Sequence, residues 1–335
     1  MRPIAAGMAV WLCAAVPALA QDATRLPLVG VLRIHTTATS EPFAGLLRDA
    51  LAALGDVDGK NMRLDFRLAE GNAGRLPEMA AALVRDRASV IVAIGEPAAR
   101  AAQRATTTIP IIATVSDLVA AGLIASLAEP GGNITGESHL VPELDAKKLE
   151  LLKEMLPAAR RFGVLGERTI SVPTQLQAVA HGARMLGVEL QTIDLGSPGE
   201  LATAIAAFAA GGAEGLVILD TTLLSSLRNE LGSLLLANKL PAICEWPVMA
   251  EAGCLASYGG TMRELAATLA ALTDKMLKGA QPARTPAQQP TRFELVINLK
   301  VARAIGIEIP PLILGRADEV IECNAASYCC CWAAQ

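Results

Sequence analysis

Ser116 and Asp117 close an apolar run at residues 110–115, placing a hydroxyl beside a carboxylate where a buried strand would end. Ligands of doubly wound sheets bind at such carboxyl ends. Similar groups follow other apolar runs: Thr36 and Thr37 after 28–34, Glu96 after 90–94, and Arg168 and Thr169 after 162–166. Asp220 with Thr221 and Thr222 ends the run at 215–220, Glu245 with Trp246 ends 241–245, and Tyr258 lies in a short run at 254–259. A zwitterionic molecule would set its carboxylate against the free N–H groups of a helix start and its ammonium against a carboxylate side chain. An arginine such as Arg168 adds a two-pronged clamp.

Each candidate also has a plain structural role. Asp117 and Asp220 precede helical patterns and serve equally as N-caps. Glu96 before Pro97 fits a solvated turn, and Arg168 a solvated loop. Trp246 either stacks on a ligand or fills a core, and Tyr258 packs at a hinge with its hydroxyl satisfied. Gly131-Gly132 reads as a turn before a strand rather than a phosphate cradle.

Catalytic signatures are missing. The chain has no G-x-S-x-G elbow, Walker loop or G-x-G-x-x-G, and His35, His139 and His181 lack metal-ligand spacing. No cofactor or metal is expected. A two-thiol racemase needs one cysteine from each side of a cleft, whereas Cys244 and Cys254 fall in adjacent elements of one half. Those two are expected as unbridged core residues. With a net charge of −4, nothing indicates a nucleic-acid surface.

The positioning elements alternate strand and helix throughout. Strands are expected at 28–34, 62–69, 90–95 and 110–115, and Asp117 is followed by an amphipathic helix and a further strand opened by Pro130-Gly131-Gly132-Asn133. A long helix at 143–155 leads to a second series, with strands at 162–166, 188–195, 215–220 and 241–245 and helices at 174–186, 200–210 and 223–238. Further elements are a strand at 254–259, a helix at 262–277, a Pro- and Gln-rich linker at 281–290, a strand at 292–299 and a helix at 300–305 capped by Asn298. The composition, 52% hydrophobic but 3% aromatic, suits aliphatic strands covered on both faces. Two parallel-sheet α/β lobes follow from 335 residues in this order. The expected lobes are 26–141 with 256–283, and 142–255 with 284–322, joined by a hinge of several crossings. Before them, Arg2, the apolar stretch 4–16 and Ala18-Leu19-Ala20 form a cleavable export signal at 1–20. After them, 323–335 is a Cys-rich tail expected to be unstructured. No later apolar run reaches the ~18 residues of a membrane span.

Several motifs in order carry a family resemblance: DxxxxGLxxSLxxPGGNxTG at 117–136, AKKLELLKEMLP at 146–157, ASYG at 256–259, QQPTRFELVINLKVARAIGI at 288–307 and RADEVIE at 316–322. In these the chain resembles the substrate-binding proteins of ABC transporters. The resemblance implies the type I periplasmic-binding-protein fold and a ligand among amino acids, notably aromatic ones. The chain departs from the family pattern at Leu118, at Gly166-Glu167-Arg168-Thr169, at Trp246-Pro247-Val248-Met249 and at Cys254. The resulting expectation is a periplasmic, monomeric solute-binding protein of an ABC importer, closing two lobes on an amino acid or related carboxylate and docking on a membrane permease. A ligand-sensing subunit for a signalling receptor is the alternative.

Overall fold

A computed structural model describes residues 25–35, 37–139, 142–168 and 172–322. The segment expected as an export signal, Thr36, Thr169 and the Cys-rich tail lie outside the described residues.

The first sheet contains β1 (Leu28–Arg33), β2 (Arg63–Leu68), β3 (Val90–Ile94), β4 (Ile111–Val115) and β5 (Ile134–Ser138). All pair in parallel in the order β2-β1-β3-β4-β5. β1, β3 and β4 are apolar on both faces and wholly buried, whereas β2 at the edge is half-buried, which explains its alternating sequence. Helices cover both faces, and each aliphatic side chain fully removed from water contributes about 1.5–3 kcal/mol.

The second sheet contains β6 (Arg161–Glu167), β7 (Glu189–Leu195), β8 (Gly215–Ile218), β9 (Ala242–Cys244), β10 (Ala256–Gly259), β11 (Glu294–Asn298) and β12 (Glu319–Ile321). Their order is β12-β11-β10-β9-β8-β6-β7. It is not purely parallel, because β11 runs against β10. The chain crosses between lobes on the cleft side. A strand that enters there must run away from the cleft, opposite to β10, and β12 pairs with it in parallel.

The crossings also shift the expected lobe boundaries. β10 pairs with β9 in the second sheet, so the return to the first lobe follows Gly259 rather than Ala256. The helix Met262–Leu277 then packs on the helix Thr37–Ala53 of the first lobe. Residues 285–288 stay on that lobe beside β5, where Thr135 Oγ1 donates to the Thr285 carbonyl at 2.8 Å and Gln288 N donates to the Gly136 carbonyl at 2.8 Å. Only past Pro290 does the chain enter the second sheet.

Two helical expectations fail for local reasons. The stretch after Asp117 makes turns instead of an amphipathic helix. Asp117 caps it, accepting from Val119 N and Ala120 N at 2.9 Å each, but Gly122 adopts φ +63° and ends the coil after one turn. The second is the helix expected at 223–238, which splits at Leu227 into Thr222–Ser226 and Arg228–Ala237. By contrast, Asn298 caps the helix Leu299–Ile305 as expected, accepting from Val301 N at 3.1 Å.

Gly136 marks the tightest strand contact. A β-carbon there would fall 1.7 Å from the Ala113 carbonyl oxygen on β4, and backbone cannot yield. Gly136→Ala is therefore expected to destabilise the first lobe by about 3 kcal/mol or more, measured by denaturant unfolding.

Candidate functional site

The carboxyl ends of both parallel arrays face a single cleft that encloses a cavity of about 1110 Å³. The lobes touch across it. Ser116 Oγ of the first lobe donates to the Asp220 backbone carbonyl of the second at 3.0 Å, and His35 Nε2 lies 3.4 Å from Ser225 Oγ. Gly95, at φ +92°, comes so near that a β-carbon would lie 2.6 Å from Thr222 Oγ1.

The cleft floor is aromatic and polar. Trp246 is buried at the wall, its Nε1 donating to Asp220 Oδ1 at 2.9 Å, and its ring meets His139 edge-on with centroids 5.1 Å apart. His139 follows β5 and bonds Thr114 Oγ1 through Nε2, while its Nδ1 lies 3.5 Å from Glu137. Burial works against a charge on His139, but Glu137, Asp220 and Glu245 outweigh it and raise its pKa.

Behind the floor sits a buried ion cluster. Lys148, fully buried on the helix Pro142–Met155, lies 2.7 Å from Asp145 and 3.1 Å from Glu245. Burial opposes its charge, yet the two carboxylates hold its pKa above the usual lysine range. One lysine against two carboxylates leaves an acidic surplus, and burial pushes Glu245 up to about 7 even with Lys148 beside it. Cys244 and Cys254 are buried and free nearby.

The residues expected from sequence are distributed unevenly. Glu96, Ser116, Asp220, Thr221, Thr222 and Trp246 line the cavity. Arg168 lies at its rim, exposed and paired with Glu200 at 2.9 Å. Thr221 also caps the short helix after it, accepting from Leu224 N at 3.2 Å. Asp117 is occupied as a turn cap, Glu245 is turned to Lys148, and Tyr258 packs on Phe293 with ring centroids 6.2 Å apart. None of these three is at the cavity wall. Thr37 begins the helix Thr37–Ala53.

Sequence reasoning passed over Arg33, His35, Glu167 and Arg228, all at the wall. Arg33 ends β1, 5% exposed and stacked on Phe43 at 4.7 Å, with no partner for Nε or Nη1 among the described residues. Burial and then Arg228 lower its pKa to about 10, and burial with both arginines holds His35 neutral at about 3. Burial raises Glu167, with Glu96 adding to it. The available signal was a charge ending an apolar strand, which at Arg33 was absorbed into the strand itself.

Two α/β lobes enclosing a cavity define the type I periplasmic-binding-protein fold. Residues 30–321 match the family described as ABC transporter substrate binding protein, and the chain belongs to it. That family binds solutes for transport and is not enzymatic. The chain is similar to a tyrosine-binding protein of Clostridioides difficile (strain R20291), 30% identical over 267 residues, covering 77% of this chain and 75% of that protein. It is also similar to a solved ABC domain from Streptococcus pneumonia in complex with L-Trp, at 26% identity and TM-score 0.81, covering 89% of this chain and all of that one. Against the ligand-free, open structure of a substrate binding protein with adhesive properties from Clostridium difficile, the TM-score is 0.66 at 27% identity, again covering 89% and 100%.

Removing Lys148 should strand two buried carboxylates. Lys148→Met is expected to cost about 3–5 kcal/mol in denaturant unfolding. Gly95→Ala should lose some stability in either arrangement, because φ +92° strains any side chain, and should resist closure further, since about 1–3 kcal/mol of overpacking falls on the closed arrangement. Its ligand affinity should drop roughly ten- to a hundredfold by titration calorimetry.

Proposed function

We propose that the protein captures an aromatic amino acid in the periplasm and delivers it, as a monomer, to the membrane permease of an ABC transporter. The observation carrying this is the mixed character of the closed cavity. Phe43, Leu46, Trp246, Val248 and Met262 supply an apolar and aromatic wall, while Arg33 and Glu167 supply opposite charges. A small number of placed polar groups in a mainly apolar pocket is how proteins orient such ligands. The tyrosine-binding relative and the tryptophan-bound structure support the same ligand class. The export-signal pattern at 1–20 supports the compartment.

Closure follows from contacts that exist only when both lobes surround the ligand, which shifts the population toward the closed form. Among the described residues no helix is long and apolar enough to cross a membrane.

A thermal-shift and calorimetric screen of the mature chain against amino acids, small carboxylates and sugars tests the reading. Tyrosine or tryptophan should bind one to one and add about 2.7 kcal/mol of stability at 100 times its dissociation constant. Stabilisation by sugars alone, with aromatic amino acids inert, would overturn it.

A further inference from the structure

Two like-charged pairs flank the seam where the lobes meet. At the first contact, Gly95 approaches Thr222. Glu96 is the next residue on one side, and on the other Leu223 N, adjacent to Thr222, donates to Glu167 Oε2 at 3.4 Å. Carboxylates from opposite lobes therefore sit at one end of the seam. Glu96 has Arg100 at 3.2 Å, whereas Glu167 makes no ion pair among the described residues.

At the second contact, His35 meets Ser225. Arg33 precedes His35 by two residues, and Arg228 Nη1 donates to the Ser225 carbonyl at 3.2 Å. Guanidinium groups from opposite lobes thus sit at the other end. Arg33 is buried at the cleft wall, with Nε and Nη1 unpartnered among the described residues.

The spacing of the two ends is set by one element. Thr222 and Ser225 are three residues apart on the helix Thr222–Ser226, so the contacts are separated by roughly 5–6 Å. With both ends this near each other, the ammonium and carboxylate of one α-amino acid head group reach them together, each through a charge-assisted hydrogen bond of about 2.8 Å. A neutral sugar relieves neither pair, and a dicarboxylate leaves the acidic one opposed.

We infer that the ligand binds as an α-zwitterion of fixed polarity, carboxylate between Arg33 and Arg228 and ammonium between Glu96 and Glu167, and that these pairs hold the empty lobes apart until both are neutralised. The inference rests on the amino-acid reading of the cleft. It adds which residues read the head group and why closure awaits it.

The test compares L-tyrosine with tyramine, which lacks the carboxylate, and 3-(4-hydroxyphenyl)propanoate, which lacks the ammonium, by calorimetry on the mature chain. The wild type should bind either analogue roughly ten- to a hundredfold more weakly than tyrosine. Arg33→Met and Arg228→Gln should each erase most of the preference for tyrosine over tyramine. Glu167→Gln should instead erase the preference over the propanoate, and it should shrink the ligand-free radius of gyration in small-angle scattering. Arg228→Gln, on a half-exposed side chain, keeps the test open if Arg33→Met does not fold. Unchanged analogue ratios in Arg228→Gln and Glu167→Gln would overturn the polarity. Should the wild type prefer another α-amino acid, the aromatic reading fails while the same comparison, made with that amino acid's decarboxylated and deaminated forms, still decides this one. Binding of uncharged solutes alone would sink both.

Discussion

Close approach of the two lobes at their strand tips, through a bare glycine and two short polar contacts, is the constraint that organises the protein. Gly95 has no side chain and a positive φ, and it sits where the first lobe comes nearest Thr222 of the second. Ser116 reaches a backbone carbonyl rather than a side chain across the same seam. Close approach at these points is what turns an open groove into an enclosed cavity. It also forces Arg33 toward Arg228 and Glu96 toward Glu167, so the geometry that permits closure brings like charges together.

Behind the seam, buried polarity fixes the floor. Asp220 has two duties, holding the Trp246 indole with its side chain and receiving Ser116 with its carbonyl. Trp246 in turn lies against His139, at the first crossing between lobes. The Lys148 cluster packs one layer deeper and ties the helix Pro142–Met155 to the end of β9. Buried ion pairs of this kind are weak evidence for stability, because desolvation offsets much of their attraction. Their geometric consequence is clearer: they hold the helix Pro142–Met155 against the end of β9.

The fold was largely legible in the sequence. Periodicity located the helix Met262–Leu277 to the residue, and apolar or alternating runs located β1 to β4 of the first sheet. What periodicity missed was non-local. The reversed direction of β11 follows from the side on which the chain re-enters, and the docking of residues 285–288 beside β5 follows from pairing with a strand some 150 positions earlier. Gly122 was visible, yet its left-handed turn overrode an otherwise helical pattern.

The site divided the same way. Residue order alone determined two α/β lobes, a family membership and the polar strand tips from which a ligand site would be drawn. Which tips face the cavity was decided by tertiary structure. Asp117, Glu245 and Tyr258 were turned to a cap, a buried lysine and a packed ring, while Arg33, Glu167 and Arg228 were brought to the wall. The reason is that a strand tip's chemistry depends on how one lobe is rotated against the other. That rotation is set by three crossings and a shared seam, and no local spacing encodes it.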